Sequence, residues 1–171
     1  MQHALTKLTK PRRASARGGG RARGLLLLED IGSVIGESGD IRETLSHIVT
    51  LVADHLHMEV CSLYRLAPDS QRLFLLATKG LETSSIGTVN MRVDEGLTGY
   101  AIQKREPVMA IDALAHPRYK YFPETGEERY HSFLGVPIFD KGEALGVLVV
   151  QTSRRRRFTR DEVRLLKAVV V

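Results

Sequence analysis

The residues of this sequence best suited to chemistry lie in one polar segment, residues 112–130, and at its C-terminal edge. The segment offers cations for a carboxylate, acids for an ammonium group, and aromatic rings for apolar walls. Lys120, Glu127 and Glu128 add further charges of both signs. A loop of this length in a small domain is usually a binding loop or a lid. We therefore predict a site for a small zwitterion or dicarboxylate, with the candidate residues His116, Arg118, Tyr119, Tyr121, Glu124, Arg129, Tyr130, His131 and Phe133.

A purely structural role for the same segment is the alternative. In that interpretation the aromatic side chains fix the loop to the body of the domain and the charges face water. Both interpretations require that the flanking sequence form a folded domain that holds the loop in place.

Motifs of the common catalytic centres are missing from the sequence. It contains no G-x-S-x-G nucleophile elbow, and Gly96 and Gly99 do not fit the phosphate-binding P-loop pattern. His55 and His57 point in different directions on a helix, which disfavours a metal site. Cys61 is the single cysteine, so neither an internal disulfide nor a two-cysteine redox centre is possible. We expect no catalytic residue, no metal and no cofactor in this chain.

Charge is concentrated at the N-terminus, where the first 24 residues hold seven Lys or Arg and no acid. Since the formal net charge is +5, the remaining residues are slightly acidic, so basicity does not argue for nucleic acid. We predict a basic disordered leader over residues 1–24 and one domain over residues 25–171, whose last helix is cut at the C-terminus.

Apolar runs are too short to cross a bilayer and no signal peptide is evident, so we expect a cytoplasmic protein that does not bind membranes.

A second basic cluster, Arg154 to Arg157, separates the last predicted strand from the last helix. Phe158 is the one aromatic residue beside it, whereas single-strand binders stack several bases on aromatic rings. We interpret the cluster as a solvated connection and do not expect nucleic acid as a partner.

The hydrophobic periodicity predicts a mixed α/β domain that positions the loop. Helices are expected from Leu25 to Ile35, from Asp40 to His55, and from Thr159 onward, where Thr159 and Glu162 form a capping box. A short helix is expected between the third and fourth of six strands. The six predicted strands span residues 58–65, 72–79, 89–93, 107–111, 133–139 and 144–151, and the short helix spans residues 97–104.

Two motifs in this order resemble the GAF domain family. Residues 94–101, DEGLTGYA, are similar to its glycine-bearing strand-to-helix turn, and residues 133–138 with 145–150, FLGVPI and LGVLVV, are similar to its closing hairpin. The resemblance implies an α/β (α+β) GAF fold, related to PAS domains. In that fold a central antiparallel sheet is flanked by helices, with a ligand pocket on one face. Such domains sense small molecules or dimerise.

A longer match lies in the loop, where residues 115–119 and 123–137 are similar to the N-terminal GAF domain of nitrogen-type enzyme I. This resemblance implies a parent that moves phosphate from phosphoenolpyruvate to a histidine and then to a phosphocarrier protein under nitrogen control. In such a parent the phosphohistidine domain and the Mg²⁺-dependent barrel would lie beyond Val171, and no histidine here fits the phosphorylation motif. The basic leader departs from the family pattern.

Together these observations predict a regulatory sensing domain whose effector is glutamine or 2-oxoglutarate, with cyclic nucleotide as a weaker choice. The alternative is a dimerising or ligand-sensing module of a signalling protein, such as a histidine kinase or a cyclic-nucleotide or cyclic-di-GMP enzyme. A homodimer is expected in either case, because Leu25 to Leu28 and residues 165–171 offer apolar surface.

Overall fold

The computed structural model describes residues 17–37 and 39–171, which form one antiparallel sheet with helices on both faces. The helices are α1 (Arg17–Glu37), α2 (Ile41–Leu56), α3 (Gly96–Lys104) and α4 (Arg160–Val169). The strands are β1 (Val60–Ala67), β2 (Arg72–Lys79), β3 (Asn90–Arg92), β4 (Val108–Ala110), β5 (Ser132–Asp140) and β6 (Glu143–Thr152). Their order in the sheet is β3-β2-β1-β6-β5-β4, and every pairing is antiparallel. The predicted α/β fold class and the sequence of elements are confirmed.

Alternation along the strands gives the sheet two apolar faces, because successive side chains point to opposite sides. Cys61 of β1 and Val150 of β6 face α1, α2 and α4 in one core, together with the fully buried Leu27 and Leu166. The opposite face packs against α3 and the segment 111–131. The core between them includes Tyr64, Leu75, Val89, Met91, Leu97, Phe133, Val147 and Val149.

Local chemistry explains two of the turns that set this arrangement. Lys141 and Gly142 connect β5 and β6 with positive φ angles of 47° and 90°, as a two-residue hairpin turn requires. Gly99 brings α3 against the end of β3, where a side chain would clash with the carbonyl oxygen of Val93. This close approach seats α3 directly on the second face of the sheet.

Helix α1 differs from its predicted N-terminal limit. Residues 17–24, assigned from the sequence to a disordered leader, form its first turns, while residues 1–16 lie outside the described residues. Leu27 and Ile31 anchor the helix on the core, and once a helix is nucleated each added residue gains one backbone hydrogen bond. None of the helices within residues 17–37 and 39–171 is long and apolar enough to cross a membrane.

Candidate functional site

A small cavity of about 20 Å³ lies on the second face of the sheet, beneath α3 and the segment 111–131. A water molecule needs at least about 10–15 Å³ measured in this way, so the cavity as it stands holds roughly one water. This space is too small for a metabolite unless the covering segment moves. The lining residues are Met91, Gly96, Leu97, Thr98, Ala113, Tyr119, Lys120, Phe122, Glu127, Phe133 and Gln151.

Glu127 supplies an acidic group to this cavity. The carboxylate accepts hydrogen bonds from the backbone N–H of Phe122 and the side chain of Gln151, which favour its charged form. Loss of solvent outweighs them and, with a small contribution from the charge of Glu128, raises the pKa of Glu127 to about 7. Near neutral pH the group is therefore divided between its protonated and charged forms.

The hydroxyl of Tyr119 is buried without a hydrogen-bond partner among the described residues. Burial raises the pKa of Tyr119 to about 12, and the nearby charges of Glu127 and Glu128 act in the same direction. The hydroxyl is therefore neutral and available as both donor and acceptor. Buried polar groups are nearly always paired in folded proteins, so an unpaired hydroxyl beside a cavity indicates a position for a ligand or a water.

Lys120 also lines the cavity, but its charge is paired elsewhere. Its Nζ lies 2.8 Å from Glu95 Oε1 and 5.3 Å from the centre of the Phe122 ring. Thr98 and Gln151, which are 6% and 4% exposed, complete the polar lining. The cavity thus combines one acid with neutral hydrogen-bonding groups and a cation that a ligand can reach only by displacing Glu95.

Two of the nine residues predicted from the sequence, Tyr119 and Phe133, line this cavity. Arg118 lies on the outer side of the segment, where its guanidinium is 4.4 Å from the centre of the Tyr100 ring and donates to Gln103 Oε1 at 3.0 Å. His116 stands beside the same tyrosine.

The other predicted residues are spread over the surface and the edges of the segment. Tyr121 and Glu124 are exposed, and Arg129 lies over the ring of Tyr130. The Tyr130 hydroxyl donates to the backbone oxygen of Gly80 at 2.9 Å, which makes Tyr130 an anchor of the segment. The structural interpretation of these aromatic residues is therefore supported for Tyr130.

Further hydrogen bonds fix the base of the segment. His131 Nδ1 and Asp112 Oδ1, at its two ends, are 3.0 Å apart, and Arg155 Nε donates to Asp112 Oδ2 at 2.6 Å. These contacts hold the pKa of Asp112 below its usual value, chiefly through the hydrogen bond from His131. The backbone N–H of Glu82 donates to the oxygen of Thr125 at 3.0 Å and tethers the second half of the segment to the end of β2.

Thr98, Lys120 and Gln151 are cavity residues that the candidate list lacks, and Glu127 was named only as one of several acids. Gln151 carries a signal that was available in the sequence. It continues the inward-facing series of Val147 and Val149 on β6, where a polar residue at a core position indicates a polar interior. The position of Glu127 depends on two short 3₁₀ turns, Pro123–Thr125 and Glu127–Arg129, that periodicity does not predict.

Comparison with known proteins gives consistent results. Over 138 residues, 81% of its length, the chain is 37% identical to the phosphoenolpyruvate-dependent phosphotransferase system protein of Escherichia coli K12, of which the match covers 18%. It is also 31% identical over 150 residues to the Nif-specific regulatory protein of Herbaspirillum seropedicae, covering 85% of this chain and 28% of that protein. The chain therefore spans less than a third of either relative.

Among solved structures, the GAF domain of a phosphoenolpyruvate-protein phosphotransferase from Coxiella burnetii matches with a TM-score of 0.80 and 32% identity. That match covers 87% of this chain and 89% of the Coxiella domain. The family model of the GAF domain matches residues 40–171. Fold, sequence and family model agree, and the chain belongs to the GAF domain family.

Proposed function

We propose that this chain is the regulatory sensing domain of a phosphoenolpyruvate-protein phosphotransferase of the nitrogen type, and that its effector binds in the cavity beneath the segment 111–131. The observation that carries the assignment to this parent is the 37% identity over 138 residues. The observation that carries the sensing role is a small cavity lined by an acid and by a hydroxyl without a partner among the described residues. The sequence that follows Val171 in the gene tests the parent, because a phosphohistidine domain followed by a phosphoenolpyruvate-binding barrel is expected there.

A second candidate is a GAF module of a transcriptional or signalling regulator. The similarity to the Nif-specific regulatory protein favours it, since that protein also matches over most of this chain. A different output domain after Val171 would support this candidate and contradict the first. In both candidates the effector is proposed to bind in the same cavity.

Charge in the cavity distinguishes the two proposed effectors, glutamine and 2-oxoglutarate. Glutamine brings an ammonium group, which forms a charge-assisted hydrogen bond with ionised Glu127. Its carboxylate can pair with Lys120 in exchange for Glu95, and its amide can bond to Gln151 or Tyr119. By contrast, 2-oxoglutarate brings two carboxylates, which favour protonated Glu127. We therefore propose glutamine as the preferred ligand above neutral pH.

This preference predicts opposite pH dependence for the two ligands. Raising the pH from 6 to 8 ionises Glu127, so the affinity for glutamine should rise while the affinity for 2-oxoglutarate falls. Glu127→Gln should weaken glutamine binding at pH 8 by at least about tenfold, since a hydrogen bond to a charged group contributes about 1.5–3 kcal/mol. Isothermal titration calorimetry with both metabolites, cyclic AMP and cyclic GMP is the measurement.

Glu124→Gln is the matched control, because this exposed glutamate lies three residues away and does not line the cavity. Arg118→Ala and Arg129→Ala separate a cavity site from a site on the outer surface of the segment. The cavity site predicts that both variants bind glutamine as the wild type does. Binding lost in the arginine variants and retained in Glu127→Gln, or no binding at millimolar concentration, would contradict it.

We further propose that the chain dimerises through α1. Leu25 and Ile35 of this helix are 61% and 58% exposed, and Leu28 lies between them on the same side. Residues of α4 contribute less, because Leu166 is fully buried in the core.

Sedimentation equilibrium should find a dimer that Leu25→Glu combined with Leu28→Glu converts to monomer. Ile86→Glu, at another exposed isoleucine, should leave the dimer intact, and a wild type that stays monomeric at high micromolar concentration would refute the proposal.

A further inference from the structure

In the arginine cluster 154–157, the side chains of Arg155 and Arg156 have structural roles, whereas the side chain of Arg157 forms no ion pair with the described residues. Arg156 donates to both carboxylate oxygens of Glu162 at 2.9 and 3.0 Å and lies over the ring of Phe158. Arg155 pairs with Asp112. Arg157 is exposed and stands beside a groove on the edge of the sheet.

The groove follows β4 and has two hollows that share Met109 and Arg157. One hollow, about 390 Å³, continues along Ala110 and Ile111 toward the start of the covering segment. The other, about 520 Å³, continues over Val163 toward the first turns of α4. Together they form a continuous, largely apolar depression that runs from the start of the covering segment to α4, so it offers room for an extended chain.

Strand β4 is an end of the sheet, and within the described residues it pairs with β5 only. Its outer edge therefore presents backbone N–H and C=O groups that a further strand can pair with. Ile111, which follows it directly, is 47% exposed. An unpaired edge beside an apolar depression is the surface used by domains that bind peptides through strand addition.

The charges around the groove indicate the chemistry of the partner that it can bind. Arg157, Arg160 and Arg164 all line the hollow beside α4. Within residues 39–171 only Arg164 of these three has an acidic partner, Asp161 at 3.4 Å, and both of those side chains are more than three-quarters exposed. The carboxylate of Asp112 in the other hollow is already paired with His131 and Arg155. The groove is thus left with an excess of positive charge.

From the edge strand, the apolar depression and the unpaired arginines together, we propose that the β4 groove binds an extended acidic segment of a partner polypeptide as an added strand. The side chains of that segment on the Met109 side of the sheet alternate between apolar groups, which enter the hollow at Met109, and acids, which face Arg157 and Arg160. Nucleic acid fits less well, because Phe158, the aromatic residue nearest the arginines, is 3% exposed and offers no stacking surface. The proposal is independent of the ligand in the cavity beneath α3, because the two sites share no lining residue.

The test is an NMR titration of the ¹⁵N-labelled chain with an acetylated peptide of about ten residues in which pairs of valines alternate with pairs of glutamates, so that each face of the added strand carries both. Amide shifts are expected in β4 and in residues 157–164, together with slower hydrogen exchange of β4. Arg157→Glu combined with Arg160→Glu should weaken binding at least about tenfold, given the strength of charged hydrogen bonds. Arg65→Glu, at an exposed arginine of β1, should bind as the wild type does.

Two altered peptides separate charge from strand addition. The peptide with lysine in place of glutamate removes the charge match, and the peptide with proline in place of valine removes backbone donors, so both should fail to bind. Absence of shifts in β4 at about 1 mM peptide, or equal binding by the arginine variants, would overturn the proposal. So would an oligonucleotide that binds through the same arginines while the acidic peptide does not.

Discussion

Replacing Gly146 by alanine is expected to destabilise the domain severely. Gly146 lies in the middle of the sheet, opposite Arg65 of β1 and Ile138 of β5. An added Cβ would overlap the carbonyl oxygen of Tyr64 on β1, a backbone atom that cannot move without disrupting the β1–β6 pairing. We expect a loss of more than about 4 kcal/mol in the free energy of unfolding, which is a large part of the stability of a small domain.

Urea unfolding followed by circular dichroism measures this effect. Gly32→Ala in α1 is the matched control, since a Cβ there meets nothing within 4 Å and alanine favours a helix by about 1 kcal/mol. The control should be as stable as the wild type or more so. A Gly146→Ala protein that unfolds cooperatively at the wild-type urea midpoint would show that the pairing of β1 with β6 is wrong.

Glu127→Gln is expected to remove a large pH dependence of stability. The pKa of Glu127 rises from an ordinary value of 4.5 to about 7 on folding. Between these two pH values the folded chain keeps a proton that the unfolded chain releases, so raising the pH favours unfolding. Stability should fall across this window by on the order of 3 kcal/mol and stay constant above it. The glutamine variant carries no such proton and should be the more stable protein at pH 8.

The measurement is the free energy of unfolding in urea at pH 5 and pH 8 for Glu127→Gln and Glu124→Gln. Other titrating groups affect both variants alike, so the difference between the variants isolates Glu127. Glu124→Gln should retain the wild-type loss of stability at pH 8. If the two variants change equally between pH 5 and pH 8, the carboxyl of Glu127 is solvated in the folded chain and burial does not raise its pKa.

Most of the fold follows from patterns that are local in sequence. The period-two strands, the closing hairpin and the Thr159–Glu162 capping box were all predicted, because each depends on a few adjacent residues. The start of α1 was predicted too late, since glycine-rich and basic residues discourage helix in isolation while contact with the core stabilises it. Tertiary packing, and not the helix propensity of the residues, therefore decides where α1 begins.

The candidate site was predicted at the level of the segment but not of the side chain. A polar loop rich in tyrosine and charge indicates a covering element, and Tyr119 and Phe133 do line the cavity. Arg118 and Arg129 were expected to meet the ligand, yet in this structure both lie outside, stacked on the rings of Tyr100 and Tyr130. Which side of an irregular segment faces inward depends on its tethers, and these join residues as far apart as Gly80 and Tyr130.

Those tethers have a kinetic consequence. The bonds from Glu82 to Thr125 and from Tyr130 to Gly80 fix the second half of the segment, so entry to the cavity requires displacement of the first half, which includes Tyr119 and Lys120. Opening is then a unimolecular step that precedes association, and its frequency is independent of ligand. The observed rate of binding should accordingly reach a plateau as ligand concentration increases, and the height of that plateau is the opening rate. A substitution that loosens the Lys120–Glu95 pair would raise the plateau, because that pair holds the first half of the segment in its closed position.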